Sequence, residues 1–201
     1  MAYFGTQPNE VKKNTGLYTP SEILQLTKDG NWGGSLELIT ETSFTSVSDL
    51  NFTDIKENIY DIHILRITQD CTDDAINYLR LSNDGGSSYE SSNYRYASYI
   101  SDSVSAGGEN RSNASTQILF NYGGGIGANE LQNFEATFYN LGDASKYKFV
   151  TGKAVNLGST ASVLTWTSNG CYTVAETINA IKFYMSGGTR TGTAKLYGYK
   201  Q

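Results

Sequence analysis

Histidine and cysteine are scarce in this sequence: among 201 residues there is one histidine, His63, and there are two cysteines, Cys71 and Cys171. The cysteines lie a hundred residues apart, so they form neither a C-x-x-C zinc motif nor the disulfide framework of a small secreted domain. Because free cysteine is usually buried, we expect two half-buried free thiols. We also expect no metal and no cofactor.

A basic excess and a long apolar run are also missing. Fifteen Lys and Arg residues against twenty Asp and Glu give a formal net charge of −5. The chain therefore has no basic excess to displace counterions from a phosphate backbone, and we expect no nucleic-acid partner. No window approaches the 18 apolar residues of a membrane-spanning helix. Residues 1–10 hold no apolar segment of the signal-peptide type. We expect a soluble chain without membrane insertion or Sec-dependent export.

Proline is rare, with two residues, whereas residues typical of turns and strands are abundant: 21 glycines, 21 serines, 21 threonines, 17 asparagines and 15 tyrosines. After residue 34, short β-type runs alternate with Gly, Asn, Asp and Ser clusters. Ten or eleven short strands without a long helix predict an all-β fold, an antiparallel jelly-roll-like β-sandwich over residues 35–201. The predicted strands cover residues 36–44, 50–55, 59–67, 76–81, 94–100, 116–122, 131–140, 147–155, 162–167, 180–185 and 193–199.

Side-chain alternation predicts which faces are buried. Phe134, Ala136 and Phe138 alternate with residues of the opposite face, so one side of that strand is expected in the core. The run 59–67 is apolar on both sides, which predicts a central strand. The last two strands are expected to pair across the glycine-containing loop 186–192, so that the chain ends inside a sheet.

Residues 1–34 are interpreted as an N-terminal arm that precedes the domain, because they are polar, hold both prolines and lack sustained period-2 alternation. Thr19 or Ser21 as N-cap, with Pro20 at an early position, predicts a short helix of about two turns. A polar terminus frays unless something holds it, so we expect the arm to lie against a neighbouring subunit or a partner. Its expected docking residues are Leu17, Tyr18, Ile23, Leu24 and Trp32.

Candidate reaction centres are few. His63 has Asp61 two residues away on the same strand face, but no G-x-S-x-G nucleophile turn accompanies it. We interpret it as a strand histidine that a neighbouring carboxylate satisfies. The acidic residues show no pair at a defined spacing for glycoside hydrolysis. The glycine-rich run 123–128 lacks the helix of a dinucleotide-binding unit, and we expect no enzymatic activity.

Residues 82–89 resemble the Asp-box of sialidases, S-x-D-x-G-x-[ST]-[WY], with tyrosine where tryptophan is usual. In that family the box is a structural hairpin turn. The resemblance therefore implies turn-forming roles for Asp84 and Gly86 and carries no catalytic residue with it.

Tyrosines cluster in and after this turn. Rigid amphipathic rings suit both glycan stacking and protein interfaces, so the cluster favours a contact surface over a reaction centre. A glycan and a neighbouring subunit remain alternative occupants. The candidate contact residues are Tyr89, Tyr94, Tyr96 and Tyr99.

Several runs resemble the β-sandwich virion proteins of tailed bacteriophages, especially marine ones. They are SDLNFTDI (48–55), NIYDIH (58–63), LRLSNDGG (79–86), INAIKF (178–183) and GTAKLYG (192–198), and the leader KNTGLYTPSE (13–22) is similar to leader segments on such proteins. The match spans most of the chain and consists of packing and turn residues. The family includes tail-fibre and surface-decoration proteins and supplies no catalytic residues.

The resemblance implies a structural component of a phage virion, in which the arm docks to the particle and the β-sandwich is displayed at the surface. A tail fibre or appendage is favoured over head decoration. Implied partners are other virion proteins and further copies of the chain, with a trimer as the expected homo-oligomer, in a virion assembled from protein made in the host cytoplasm. The alternatives are a host-receptor or glycan-binding module and a polysaccharide depolymerase.

Overall fold

The computed structural model describes residues 19–28, 36–123, 130–158 and 162–199. The chain divides into two units, Met1–Ser35 and Leu36–Gln201, which are described separately. No helix among the described residues is long and apolar enough to cross a membrane.

The described part of the first unit contains the predicted helix, α1 (Pro20–Lys28). The Thr19 hydroxyl accepts the Glu22 N–H at 3.3 Å, and the Glu22 carboxylate accepts the Thr19 N–H at 2.7 Å. These reciprocal bonds form a capping box, and Pro20 occupies the first helical position, where its missing N–H costs nothing. Local residues therefore account for where this helix begins.

The second unit is built from antiparallel strands, and the twelve in its described residues form two sheets. The larger sheet has the order β1-β12-β3-β8-β9-β10-β5-β6 and the smaller one β2-β11-β4-β7. The strands are β1 (Glu37–Val47), β2 (Asp49–Phe52), β3 (Ile62–Cys71), β4 (Asn77–Ser82), β5 (Tyr94–Asp102), β6 (Gly108–Ser115), β7 (Ile118–Asn121), β8 (Gln132–Tyr139), β9 (Lys148–Leu157), β10 (Val163–Tyr172), β11 (Ala180–Met185) and β12 (Arg190–Tyr199).

Eight of these strands follow jelly-roll order and confirm the predicted fold class. In the larger sheet these are β1-β12-β3-β8, and in the smaller sheet they are β2-β11-β4-β7. Along the chain, consecutive strands of these eight lie in different sheets, except for β4 and β7. The other four strands are two inserted hairpins, β5–β6 after β4 and β9–β10 after β8. They pair with each other through β5 and β10 and lengthen the larger sheet.

Aromatic side chains join the two sheets. The ring centroid of Phe134 on β8 lies 6.1 Å from that of Phe120 on β7 and 5.5 Å from that of Phe183 on β11. As the alternation predicts, Phe134, Ala136 and Phe138 are buried. The hydroxyls of Ser98 and Ser168 donate to carbonyls of β7, so this edge strand is also tied to the larger sheet.

Strand β6 is the one observed strand that the sequence pattern does not predict. Its residues, GENRSNAS, include a single apolar side chain, Ala114. The strand needs no apolar face because it lies at the sheet edge and is held by backbone pairing with β5. Polar edge strands also discourage edge-to-edge association. Hydrophobic alternation therefore carries no signal for a strand of this kind.

The predicted pairing of the last two strands is wrong. β11 lies between β2 and β4 in the smaller sheet, whereas β12 lies between β1 and β3 in the larger one. The glycine-containing loop between them crosses from one sheet to the other, as jelly-roll connections do. The prediction that the run 59–67 forms a central strand is confirmed by β3, which pairs with both β12 and β8.

One end of the sandwich buries a positive charge. Arg190, fully buried, donates from Nη1 to Gln69 Oε1 at 3.2 Å and lies over the Phe183 ring at 5.0 Å. Its Nε and Nη2 have no hydrogen-bond partner. Burial lowers the pKa of Arg190 to about 10, because desolvation penalises the charged form.

Gly152 on the inner face of β9 lies directly against the Phe120 ring, and a Cβ atom there would overlap it. We expect Gly152→Ala to lower the free energy of unfolding by about 1–3 kcal/mol through overpacking, measured by urea denaturation. Phe120→Leu makes room for the added methyl group. The double variant should therefore lose less stability than the two single losses combined, and strict additivity would contradict this contact.

His63 is fully buried, and burial lowers its pKa despite the hydrogen bond to Ile55 and the charge of Asp61. In the unfolded chain the His63 side chain is protonated near pH 6.5, whereas in the folded protein it stays neutral down to a lower pH. The free energy of unfolding should therefore fall as the pH drops from 7 to 5.5, by up to about 1.4 kcal/mol per pH unit.

His63→Gln removes this titration and should flatten the pH dependence over that range. The measurement is urea denaturation of both proteins at pH 7.0 and 5.5. Parallel pH profiles for the wild type and the variant would show that His63 contributes nothing to it.

Candidate functional site

The outer face of the larger sheet, which points away from the smaller sheet, carries a series of shallow hollows. One, of about 780 Å³, lies over β9, β10, β5 and β6, and another of about 550 Å³ lies over β3, β8, β9 and β10. Smaller hollows of about 320 and 230 Å³ share lining residues with them and with each other. The two largest have the size of small-molecule sites. We call the series the outer-face trough.

Strand register places the side chains of the trough in rows across the sheet. Alternate residues of each strand point outward, while their neighbours, such as Val150, Ala154 and Trp166, are buried in the core. The first row is Phe149, Cys171 and Arg95; the second is Thr151, Asn169, Ala97 and Arg111; the third is Glu135, Lys153, Thr167, Tyr99 and Glu109.

The largest hollow has a basic lining, and we call it the arginine hollow. Its charged lining residues are Arg95 and Arg111, and no acidic residue is among those that line it. Glu109, on the same strand as Arg111, lies 3.5 Å away at the nearest carboxylate oxygen, and both side chains are largely exposed. Such a pair contributes little. The full lining is Arg95, Tyr96, Ala97, Arg111, Ser112, Asn113, Phe149, Asn169, Gly170 and Cys171.

The floor of the arginine hollow depends on a close approach of the two sheets. A Cβ atom at Gly170 would overlap the Ile118 side chain of β7. Any residue other than glycine at this position would therefore force β10 or the Ile118 side chain to move. The neighbouring Cys171 thiol is half-buried, and burial raises its pKa although Arg95 opposes the effect. The thiol therefore stays protonated near neutral pH and is not an activated nucleophile.

The second large hollow differs in its charge. The Arg66 guanidinium donates from Nε to Glu135 Oε2 at 2.7 Å, and Lys153 lies opposite Glu135 in the strand register. The lining here therefore includes an acidic residue, Glu135, beside Arg66 and Lys153, whereas the lining of the arginine hollow includes none.

The predicted tyrosine cluster is not a single surface. Tyr94 is fully buried, where its hydroxyl accepts the Leu81 N–H at 2.8 Å, and Tyr96 is packed against the core. The Tyr89 hydroxyl is buried beneath Gly86. Tyr99 alone among the four points outward into the trough and is 51% exposed. Side chains at 94 and 96 share the inner face of β5 and the one at 99 the outer face, so closeness in sequence does not bring the four rings together.

Asp84 and Gly86 lie in the turn that the Asp-box resemblance implies. Asp84 Oδ1 accepts the Ser88 N–H at 2.9 Å, and Gly86 has a φ of 85°. Hydrogen bonds from Ser88 lower the pKa of Asp84 to about 2. The flanking strands β4 and β5 belong to different sheets, so the segment is a crossover loop and not a hairpin between paired strands.

The expected docking residues of the arm are described in part. Ile23 is half-buried and Leu24 is 56% exposed on α1. Leu17, Tyr18 and Trp32 lie outside the described residues.

The candidate reaction centre at His63 is not formed. The ring points into the core, where Nε2 donates to the Ile55 carbonyl at 2.8 Å, and Nδ1 has no hydrogen-bond partner. The interpretation that a carboxylate satisfies this ring is therefore wrong: the partner is a backbone carbonyl. Both cysteines are free thiols, with Cys71 buried and Cys171 half-buried. No group of His, Cys, Asp and Glu among the described residues could hold a metal ion.

Sequence reasoning does not single out Arg95, Arg111, Phe149 and Asn169. Alternation within β5 and β9 would place Arg95 and Phe149 on exposed faces. Their meeting requires β5 to pair with β10, some seventy residues further along the chain, and no local pattern encodes that pairing.

Protein-family models, curated proteins and solved structures offer no match to the chain.

The Asp84 turn has a direct test. Asp84→Ala removes the acceptor for the N–H and hydroxyl of Ser88 and for the Ser82 hydroxyl. We expect amide hydrogen exchange to become several-fold faster at Ser88 and at Gly86, whose N–H donates to that Ser82 hydroxyl. Asp84→Asn, which keeps a carbonyl acceptor, should have a smaller effect. Unchanged exchange in Asp84→Ala would show that the carboxylate does not hold the turn.

Proposed function

We propose that this chain is a non-enzymatic structural component of a bacteriophage virion. Its leader attaches it to the particle, and its jelly-roll unit is displayed at the surface, as part of a tail fibre or appendage in preference to a head decoration. The basis is the resemblance of its sequence runs to phage virion proteins together with the jelly-roll topology, which recurs in viral capsid and lectin domains. The topology is a fold-level analogy and supports the proposal only in that sense.

The observation that carries the proposal is the division of the chain into two units, of which the second, Leu36–Gln201, holds the hydrophobic core of the described residues. The buried hydrophobic residues of the described chain extend from Phe44 to Leu196. A leader that belongs to a unit of its own is available for attachment to another polypeptide, and a polar leader gains order by such contact.

Self-association is part of the proposal. Apolar side chains remain exposed near one end of the outer face, on or beside β8, β9 and β10: Leu131 is 50%, Val155 43% and Val163 45% exposed. Exposed apolar clusters favour contacts between proteins, and a further copy of the chain in a trimer is the proposed occupant.

A second candidate function is binding of a host-surface glycan. The outer-face trough favours it, because one hollow combines an exposed aromatic ring with amide and guanidinium groups. It requires no catalytic step, and it is compatible with display on a particle.

Deletion of residues 1–34 tests the attachment role. We expect the truncated protein to keep the thermal unfolding transition of the full chain, because the buried hydrophobic residues of the described chain lie between Phe44 and Leu196, but to be lost from purified particles. Quantitative mass spectrometry of the particles measures the copy number, and the full-length chain should be present in stoichiometric amounts. A truncated protein that joins particles at the full copy number would contradict docking through the leader.

A further inference from the structure

We propose that the arginine hollow binds an acidic polysaccharide through the carboxylate of a uronic-acid or similar sugar residue. This inference rests on the second candidate function, glycan binding by the outer-face trough, and names its ligand class; it does not depend on the structural role in a virion.

The charge of the hollow is the first argument. Arg95 forms no hydrogen bond or ion pair within the described part of the chain, and Arg111 has only the long contact with Glu109. Two guanidinium groups therefore face solvent without a strong partner in a protein whose net charge is −5. A guanidinium is planar and matches a carboxylate with two parallel hydrogen bonds, so local charge favours an anionic group although the whole chain disfavours one.

An exposed aromatic ring beside the arginines is the second argument. Phe149 is 47% exposed and lies in the same row as Arg95, with Cys171 between them. Two strand spacings separate the backbones, roughly 10 Å. A pyranose ring has an apolar face that stacks on an aromatic ring, so a short stretch of sugar chain can contact Phe149 and reach the guanidinium.

Polar groups complete the site. Asn169 and Asn113 are exposed in the lining, and the Asn169 side chain forms no hydrogen bond with the described residues. A side-chain amide both donates and accepts hydrogen bonds, which suits the hydroxyl groups of a sugar.

The continuity of the trough favours a polymer over a single sugar. The hollow of about 320 Å³ shares Ala97, Arg111 and Asn169 with the arginine hollow, and the next one shares Thr167 and Asn169 with it. A peptide added as a strand would lie beside the edge strand β6 and not across the trough, because strand addition needs the unpaired backbone of a sheet edge and β9, β10 and β5 are all paired on both sides.

The test measures binding of the full chain to polygalacturonate by affinity electrophoresis and by titration calorimetry with short galacturonate oligomers. Neutral dextran and dextran sulfate are the comparison polymers. We expect retardation by polygalacturonate, weaker retardation by dextran sulfate and none by dextran, and we expect added salt to weaken the binding.

Variants assign the site. Arg95→Gln with Arg111→Gln should raise the Kd at least tenfold, and Phe149→Ala should raise it several-fold. Lys195→Gln is the matched control, because Lys195 lies opposite Arg66 on the same face, is paired with Glu41 and is outside the lining of the trough, and it should bind like the wild type. Unchanged thermal unfolding confirms that each variant is folded.

Three results would overturn the proposal. They are the absence of polygalacturonate binding by the wild type, equal losses in Lys195→Gln and in the double variant, and equal affinity for dextran sulfate with no effect of Phe149→Ala. The last would show a general anion surface without sugar recognition. None of them bears on incorporation into particles, which the leader deletion tests separately.

Discussion

The antiparallel pairing of β5 with β10 is the constraint on which the outer-face trough depends. It joins two hairpins inserted at different points of the jelly roll and makes one continuous sheet of eight strands. Without this pairing, Arg95 on the β5–β6 hairpin and Phe149 on the β9–β10 hairpin would not share one face of a sheet. The cost is entropic, because contacts between segments so distant in sequence require closure of a long loop.

The extended sheet is covered on its inner face only because small residues allow close approach. Gly152 and Gly170 lie where the Phe120 and Ile118 side chains of β7 press against β9 and β10. The short smaller sheet can thus bury the inner face of a much wider one. Its outer face then stays open, with alternate residues free to serve binding.

The two large hollows on the outer face differ in the charged residues that line them. Arg66 and Glu135 neutralise each other by a close ion pair, whereas Arg95 and Arg111 have no acidic residue in the lining of their hollow. Two exposed guanidinium groups, of which Arg111 has only the long contact with Glu109, are the reason to connect this hollow of an acidic protein with an anionic ligand. A displayed jelly roll with such a face would combine assembly and recognition in one chain.

The sequence by itself determined the all-β class, the short helix with its cap at Thr19 or Ser21, and the inner face at Phe134, Ala136 and Phe138, because these follow from local propensity and side-chain period. It did not reveal β6, whose polar residues carry no hydrophobic signal, and it misplaced the tyrosines because it grouped positions 94, 96 and 99 by proximity and not by face. Only the tertiary structure decided that β11 and β12 belong to different sheets and that Arg95, Phe149 and Asn169 meet. Strand partners are chosen by the packing of the whole core, which no short window of sequence contains.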